Sequence, residues 1–238
     1  MARTLVVLGD SIVYGWGVGR GESYPAVLEG LLNSNVPSAA PWRVVNAGVP
    51  GDTVVQGCAR YERDVAAHSP RLLLIAFGLN DGALRRTIFD AQREEMWRAE
   101  RLWWARAWRR LGRIVRRGRR SPRVVVHQDA PRVRPDVFSA VLGDLIRRAK
   151  RAGAQVGLLT LTPVGIESRQ VETYARYSDL IRWAARRYGA LLADVERDAG
   201  DAFDPPAMLA EDGVHLTVPG QRWLAEVVYH HLIKASDL

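Results

Sequence analysis

The chain has 238 residues, of which 47% are hydrophobic, and it carries a formal net charge of +8. This size and content favour a single domain, residues 1–238, built around one large core. The one cysteine, Cys58, excludes an internal disulfide bond. No apolar run approaches the roughly 20 residues that a membrane-spanning helix needs, so any membrane contact would be peripheral. Because Met1 leads into a strand pattern and not into a basic and apolar leader, we expect a cytoplasmic protein.

The first predicted element is a strand that runs into a glycine-flanked loop. Residues 5–8 are continuously apolar, a pattern typical of a strand that is covered on both faces. Gly9 and Gly15 allow the chain to turn tightly around Ser11. Ser11 would then lie at the carboxyl end of a parallel strand, which is where open α/β sheets bind their ligands.

The rest of the chain alternates short apolar runs with amphipathic stretches, and two further strands each open into a polar loop. Such alternation predicts right-handed βαβ units and a parallel sheet of about five strands. We expect the remaining strands at residues 42–46, 71–77, 155–161 and 190–195, and the main helices at 22–32, 178–187 and 218–233.

A carboxylate and an imidazole lie three residues apart in Asp212-Gly213-Val214-His215, just before the last predicted helix. This spacing allows Asp212 to accept a hydrogen bond from Nδ1 of His215, which leaves Nε2 free to take a proton from a hydroxyl group. A nucleophilic serine needs such a base, although the same pattern alone also occurs as simple helix capping.

Four short motifs that combine glycine with polar residues follow one another along the chain. They are Gly9-Asp10-Ser11, Asn46-Ala47-Gly48, Gly78-Leu79-Asn80-Asp81 and Asp212-Gly213-Val214-His215. In this order the set closely resembles the four blocks of the SGNH hydrolases, also called the GDSL esterase/lipase family. The resemblance covers about residues 4–81 and 136–233. It implies a flavodoxin-like three-layer α/β/α sandwich with strand order 2-1-3-4-5.

The resemblance also implies roles for individual residues. Ser11 would be the nucleophile, with Asp212 and His215 completing a catalytic triad. The oxyanion hole would take donors from Ser11, Gly48 and Asn80, because ester cleavage places negative charge on the carbonyl oxygen.

Three aspartates beside these glycine turns would brace the loops, since such carboxylates commonly accept hydrogen bonds from local amides. They are Asp10, Asp52 and Asp81, of which Asp10 and Asp81 lie directly beside the expected catalytic groups. No second histidine or cysteine lies at a ligand spacing, so we expect no metal and no cofactor.

A helical insertion at about residues 82–130 is where the sequence departs from a minimal family member. Residues 82–123 hold 14 arginines and four acidic residues, a net charge of +10, while the rest of the chain sums to −2. An apolar stripe at helical spacing includes Trp104 and Trp108, which predicts a basic amphipathic helix. This helix would pack on its own domain, bind a second copy of the chain, wall the substrate pocket, or contact anionic lipid or a polyanion.

The sequence thus predicts a serine esterase that hydrolyses small carboxylic esters through an acyl-enzyme intermediate. Acyl transfer to an alcohol other than water is one alternative. A non-catalytic module that binds through the basic helix is another. We expect no specific nucleic-acid partner, and a homo-oligomer would form through the inserted helix.

Overall fold

The structure is a computed structural model that describes residues 3–35, 40–84, 130–165, 168–200 and 203–234. The strands span Arg3–Gly9 (β1), Trp42–Gly48 (β2), Leu72–Ala76 (β3), Gln155–Leu159 (β4) and Leu191–Ala193 (β5). The helices span Ser11–Tyr14 (α1), Tyr24–Asn35 (α2), Val54–Ala59 (α3), Tyr61–Asp64 (α4), Leu79–Gly82 (α5), Pro135–Arg151 (α6), Ser168–Tyr188 (α7), Val195–Ala199 (α8), Pro205–Met208 (α9) and Val218–Lys234 (α10).

All five strands are parallel and lie in the order β2-β1-β3-β4-β5, so the predicted strand order is confirmed. The connection from β1 to β2 moves toward one edge of the sheet. The connections from β2 to β3, from β3 to β4 and from β4 to β5 move toward the other edge. Right-handed crossovers therefore place α2 on one face and α6 and α7 on the opposite face. Helix α10 packs against α2, while α3, α6 and α7 pack together, which gives the predicted three layers.

The two central strands form the core. Leu5 to Leu8 in β1 and Leu72 to Leu74 in β3 are completely buried, as expected for strands covered on both faces. Gly9 pairs in register with Gly48 of β2 and with Ala76 of β3. The loops that follow these three strands therefore begin at the same level, at the carboxyl edge of the sheet.

Several element boundaries differ from the sequence prediction. Strand β2 continues to Gly48, two residues further than expected, and the loop after it leads into two short helices, α3 and α4. Helix α7 begins ten residues earlier than expected. Its first half carries few apolar residues, and the buried rings of Tyr174 and Tyr177 attach it to the core.

The inserted segment leaves and re-enters the domain at one point. Leu84 and Pro131 form an isolated antiparallel bridge. The predicted basic helix, with Trp104 and Trp108, falls within residues 85–129 and so lies outside the described residues. No helix in the described part of the chain is long and apolar enough to cross a membrane.

Candidate active site

The loop that carries Ser11 begins where β1 ends and is held by a capping carboxylate. Oδ1 of Asp10 accepts a hydrogen bond from the amide of Ile12 at 3.0 Å, which caps the short helix α1. Ser11 is the first residue of this helix, and its amide has no hydrogen-bond partner among the described residues. Gly15 ends the helix with φ of 81°, a conformation that favours glycine.

Ser11 and two side chains from near the other end of the chain form a hydrogen-bonded chain at this edge of the sheet. Nε2 of His215 lies 2.9 Å from Oγ of Ser11, and Nδ1 of His215 lies 2.6 Å from Oδ2 of Asp212. Ser11 and His215 are only 6% and 5% exposed, so the hydrogen bond between them is largely shielded from water. The arrangement can transfer a proton from the serine hydroxyl to the imidazole.

The loop around Asp212 fixes the position of this carboxylate. Its Oδ1 accepts hydrogen bonds from the amides of Val214 and His215, each at 2.9 Å. Burial alone would raise the pKa of Asp212, but the hydrogen bonds from the His215 ring and from the two amides outweigh it. The pKa therefore lies below its ordinary value, and Asp212 stays ionised beside the imidazole.

Asn80 lies in α5, directly after β3, and is 1% exposed. Its Nδ2 donates to Oδ2 of Asp10 at 3.2 Å, and its Oδ1 accepts from a guanidinium nitrogen of Arg132 at 3.0 Å. One of the two N–H bonds of Asn80 therefore points to Asp10, the residue next to Ser11. The second N–H has no partner among the described residues and is available to a ligand.

The prediction that Gly48 donates to an oxyanion is not supported by the structure. Gly48 is the last residue of β2, and its amide already donates to Oδ1 of Asn46 at 2.9 Å. A side chain at Gly48 would place its first carbon 2.2 Å from the backbone nitrogen of Tyr14. Glycine is thus required here by the close approach of β2 to α1, and its amide is used within the fold.

Gly51, three residues later, has the geometry that was expected of Gly48. Its φ is 79°, and its amide has no hydrogen-bond partner among the described residues. Its carbonyl oxygen accepts from Arg132, the same side chain that binds Asn80. The Gly51 peptide is therefore linked to Asn80 at the carboxyl edge of the sheet. Gly51 could have been considered from the sequence, because it lies in the same turn-rich loop. The resemblance to the family instead assigned the oxyanion donor to Gly48.

Asp52 braces the loops as expected of it. Its Oδ2 accepts from Nε of Arg60 at 2.8 Å. The same guanidinium donates to the carbonyl oxygens of Gly9 and Ala47, each at 2.8 Å. Arg60 thereby joins the ends of β1 and β2 to the loop that contains Asp52.

Asp10 and Asp81 both lie next to Asn80 and both are buried. Asp10 accepts the hydrogen bond from Asn80, and Asp81 follows Asn80 in the chain. Burial raises the pKa of Asp10 to about 6, against the lowering effect of the Ile12 amide and His215. Burial also raises the pKa of Asp81 to about 7. Oδ1 of Asp81 accepts from the amide of Val54 at 3.0 Å, and its Oδ2 has no hydrogen-bond partner among the described residues. Asp81 thus ties the start of α3 to α5.

Two aromatic residues beside the nucleophile were missed by the sequence analysis. The ring of Trp16 lies 6.1 Å from the His215 ring and 6.4 Å from the Tyr14 ring, measured between centroids. Tyr14 is 49% exposed, which is unusual for so large a side chain. The sequence could have indicated these two residues through their positions, three and five residues after Ser11. Together they offer an apolar surface next to the imidazole.

A small pocket of about 20 Å³ is lined by Asp10, Ile12, Tyr24, Thr160, Thr162 and neighbouring apolar residues. This volume suits a single water molecule. Among the described residues, no group of three His, Cys, Asp or Glu side chains is arranged to hold a metal ion.

Comparisons with known proteins agree on one family. A family model described as GDSL-like Lipase/Acylhydrolase matches residues 7–223. The thioesterase 1/protease 1/lysophospholipase L1 of Escherichia coli K12 is 38% identical over 81 residues, which are 34% of this chain and 36% of that protein. The match thus spans about a third of that relative's length. The acetylxylan esterase of Geobacillus stearothermophilus is 26% identical over 211 residues, or 86% of this chain and 78% of that protein.

Solved structures agree with the fold. A lipase/acylhydrolase from Enterococcus faecalis superposes with a TM-score of 0.69 at 17% identity and covers 97% of this chain and 95% of that one. At this identity the likeness concerns the fold alone. The family model, in contrast, extends from the strand before Ser11 to beyond the loop of His215. With nearly its whole length matched, the chain belongs to the GDSL-like lipase/acylhydrolase family.

Proposed function

We propose that the protein is a serine esterase that hydrolyses carboxylic esters through an acyl-enzyme intermediate. The observation that carries the proposal is the chain of hydrogen bonds from Ser11 Oγ through His215 to Asp212, with distances of 2.9 and 2.6 Å. A serine hydroxyl is a weak nucleophile until a neighbouring base removes its proton. His215 is that base, and ionised Asp212 stabilises the imidazolium that forms.

The reaction runs in two halves at the same serine. Oγ of Ser11 attacks the ester carbonyl carbon while its proton moves to Nε2 of His215. The imidazolium then returns this proton to the alkoxide leaving group, and the acyl group remains on Ser11. Water, deprotonated by His215, attacks the acyl-enzyme and releases the acid.

Three N–H groups can stabilise the negative charge on the carbonyl oxygen. They are the amide of Ser11 in the first turn of α1, the free N–H of Asn80, and the amide of Gly51. The first and last are backbone groups without a partner among the described residues, and Asn80 is held in place on both sides. Donors fixed before the reaction need no reorganisation when the charge develops.

The substrate would be a small ester that reaches the loops at the carboxyl edge of the sheet. The exposed ring of Tyr14 and the ring of Trp16 provide an apolar surface for one of its two parts. Acyl transfer to another alcohol uses the same acyl-enzyme and differs only in the acceptor. A cytoplasmic location, peripheral membrane contact and oligomerisation through residues 82–130 stay predictions.

The test uses the purified chain and p-nitrophenyl esters from acetate to octanoate. We expect hydrolysis by the wild type and a loss of about four to six powers of ten in kcat for Ser11→Ala. The matched control is Ser34→Ala, because Ser34 is an exposed serine of α2 and should be silent. A fluorophosphonate should phosphonylate Ser11 alone, with release of fluoride, which mass spectrometry detects. Equal rates for the wild type and Ser11→Ala would refute the proposal, and an added alcohol that captures the acyl group would favour the transferase.

A further inference from the structure

Arg132 is the first arginine of the described chain after the inserted segment, and its backbone is fixed beside Asn80. It follows the Leu84–Pro131 bridge directly. Its amide donates to the carbonyl oxygen of Ala83, and the next amide, that of Val133, donates to the carbonyl oxygen of Asp81, both at 3.0 Å. The Cα of Arg132 is therefore held against α5, which carries Asn80.

The guanidinium of Arg132 joins two loops of the candidate site. One terminal nitrogen donates to Oδ1 of Asn80 at 3.0 Å, and the other donates to the carbonyl oxygen of Gly51 at 3.2 Å. The planar fork of arginine can make both bonds at once, which the single ammonium of lysine cannot do with the same geometry. One side chain thus sets the separation of the loops that follow β2 and β3.

The contact also decides which way the amide of Asn80 points. Asn80 lies between a cation that only donates, Arg132, and a carboxylate that accepts, Asp10. The reversed amide would bring its N–H groups against the guanidinium donors and its oxygen against the carboxylate. Both neighbours therefore favour the orientation in which Nδ2 lies toward the nucleophile loop.

A second effect is electrostatic. A charge-assisted hydrogen bond on Oδ1 draws electron density from the amide of Asn80, and bonds in such a chain strengthen one another. The free N–H of Asn80 becomes a better donor as a result. This matters most when the carbonyl oxygen of the substrate carries a full negative charge, and least in the ground state.

We propose that Arg132 is a positioning residue that sets the oxyanion hole by orienting Asn80 and tying the Gly51 loop to it. The inference rests on the esterase function proposed above. It assigns a role in the reaction to a residue 52 positions away from Asn80, across an insertion whose ends meet at the Leu84–Pro131 bridge.

The test is a double-mutant cycle on p-nitrophenyl acetate. Arg132→Gln should lower kcat on the order of tenfold to 100-fold and leave KM within about twofold, because the misplaced donor acts in the transition state. In the Asn80→Ala background the same change should lower kcat by a clearly smaller factor, because only the tie to the Gly51 loop is then left to lose. Arg132→Lys keeps the charge and should fall between Arg132→Gln and the wild type.

The matched control is Arg134→Gln, because Arg134 lies two residues away, is exposed and pairs only with Asp136 among the contacts described here. It should leave kcat and KM unchanged. Equal losses from Arg132→Gln in both backgrounds, or a loss confined to KM, would overturn the inference while Ser11-dependent hydrolysis persists. If Arg132→Gln does not fold, the cycle is run with Arg132→Lys, and the same two outcomes decide it. Loss of the Ser11 dependence itself would instead refute the esterase proposal.

Discussion

At the scale of single residues, the carboxylate of Asp212 shows how a short loop fixes the tautomer of a base. Its two oxygens have separate tasks. Oδ1 accepts two backbone amides, and Oδ2 accepts the proton on Nδ1 of His215. The imidazole is therefore presented to Ser11 with Nε2 as the acceptor.

This division of tasks predicts the effect of Asp212→Asn. The oxygen of the new amide should take the two backbone bonds, so its NH₂ group would face Nδ1 of His215. The ring would then carry its proton on Nε2 and could no longer accept one from Ser11, which should lower kcat on the order of 10⁴-fold. Ester hydrolysis and circular dichroism of the variant measure activity and folding together.

Glu211→Gln is the control for this prediction, since Glu211 is the exposed neighbour of Asp212 and should tolerate loss of its charge. Near-wild-type activity of Asp212→Asn would show that the carboxylate does not orient the base.

At the scale of elements, the strands could be predicted from apolar runs, but their ends could not. Nothing in the residues 42–48 distinguishes a strand that ends at Asn46 from one that ends at Gly48. The Gly48 amide is used within the fold because it donates to Oδ1 of Asn46. The contact of Arg132 with Asn80 was beyond sequence reasoning for a different reason: an insertion separates them, and no local pattern reports that its ends meet.

The packing of β2 against α1 predicts that Gly48→Ala is destabilising. The added methyl carbon would lie 2.2 Å from the backbone nitrogen of Tyr14, and neither element can move freely. We expect the free energy of unfolding to fall by about 1–3 kcal/mol, measured by urea denaturation. If Gly48 served only as a backbone donor, alanine would keep that donor and the stability would be unchanged.

Gly30→Ala is the matched control for Gly48→Ala. Gly30 lies within α2 with no atom near its missing side chain, so alanine should fit without strain. The substitution should raise the free energy of unfolding by about 0.5–1 kcal/mol, because alanine favours helix more than glycine does.

At the scale of the whole molecule, the site contains two carboxyl groups that the fold keeps from ionising easily. Burial raises the pKa of Asp10 from 3.8 to about 6 and that of Asp81 from 3.8 to about 7. The folded protein therefore binds more protons than the unfolded chain between pH 4 and these values. Stability from these two groups is fully present below about pH 4 and is lost as the pH rises through about 6 and 7.

Asp81→Asn tests this linkage, because asparagine is neutral at every pH and can still accept from Val54. The free energy of unfolding of Asp81→Asn should exceed that of the wild type by an amount that grows between pH 4 and 7 and then levels off. Urea titrations at several pH values measure it. A difference for Asp81→Asn that stays constant over this range would contradict a raised pKa.

The Leu84–Pro131 bridge has a consequence for how such a protein diversifies. Two chain positions that already touch can be joined by any length of polypeptide without altering the strand order on either side, and a longer connection costs little additional closure entropy. Residues 85–130 can therefore vary in length and character between descendants of one ancestor while the sheet is inherited intact. Because Arg132 follows the bridge immediately, a change at this junction bears directly on the contacts that Arg132 makes with Asn80 and Gly51.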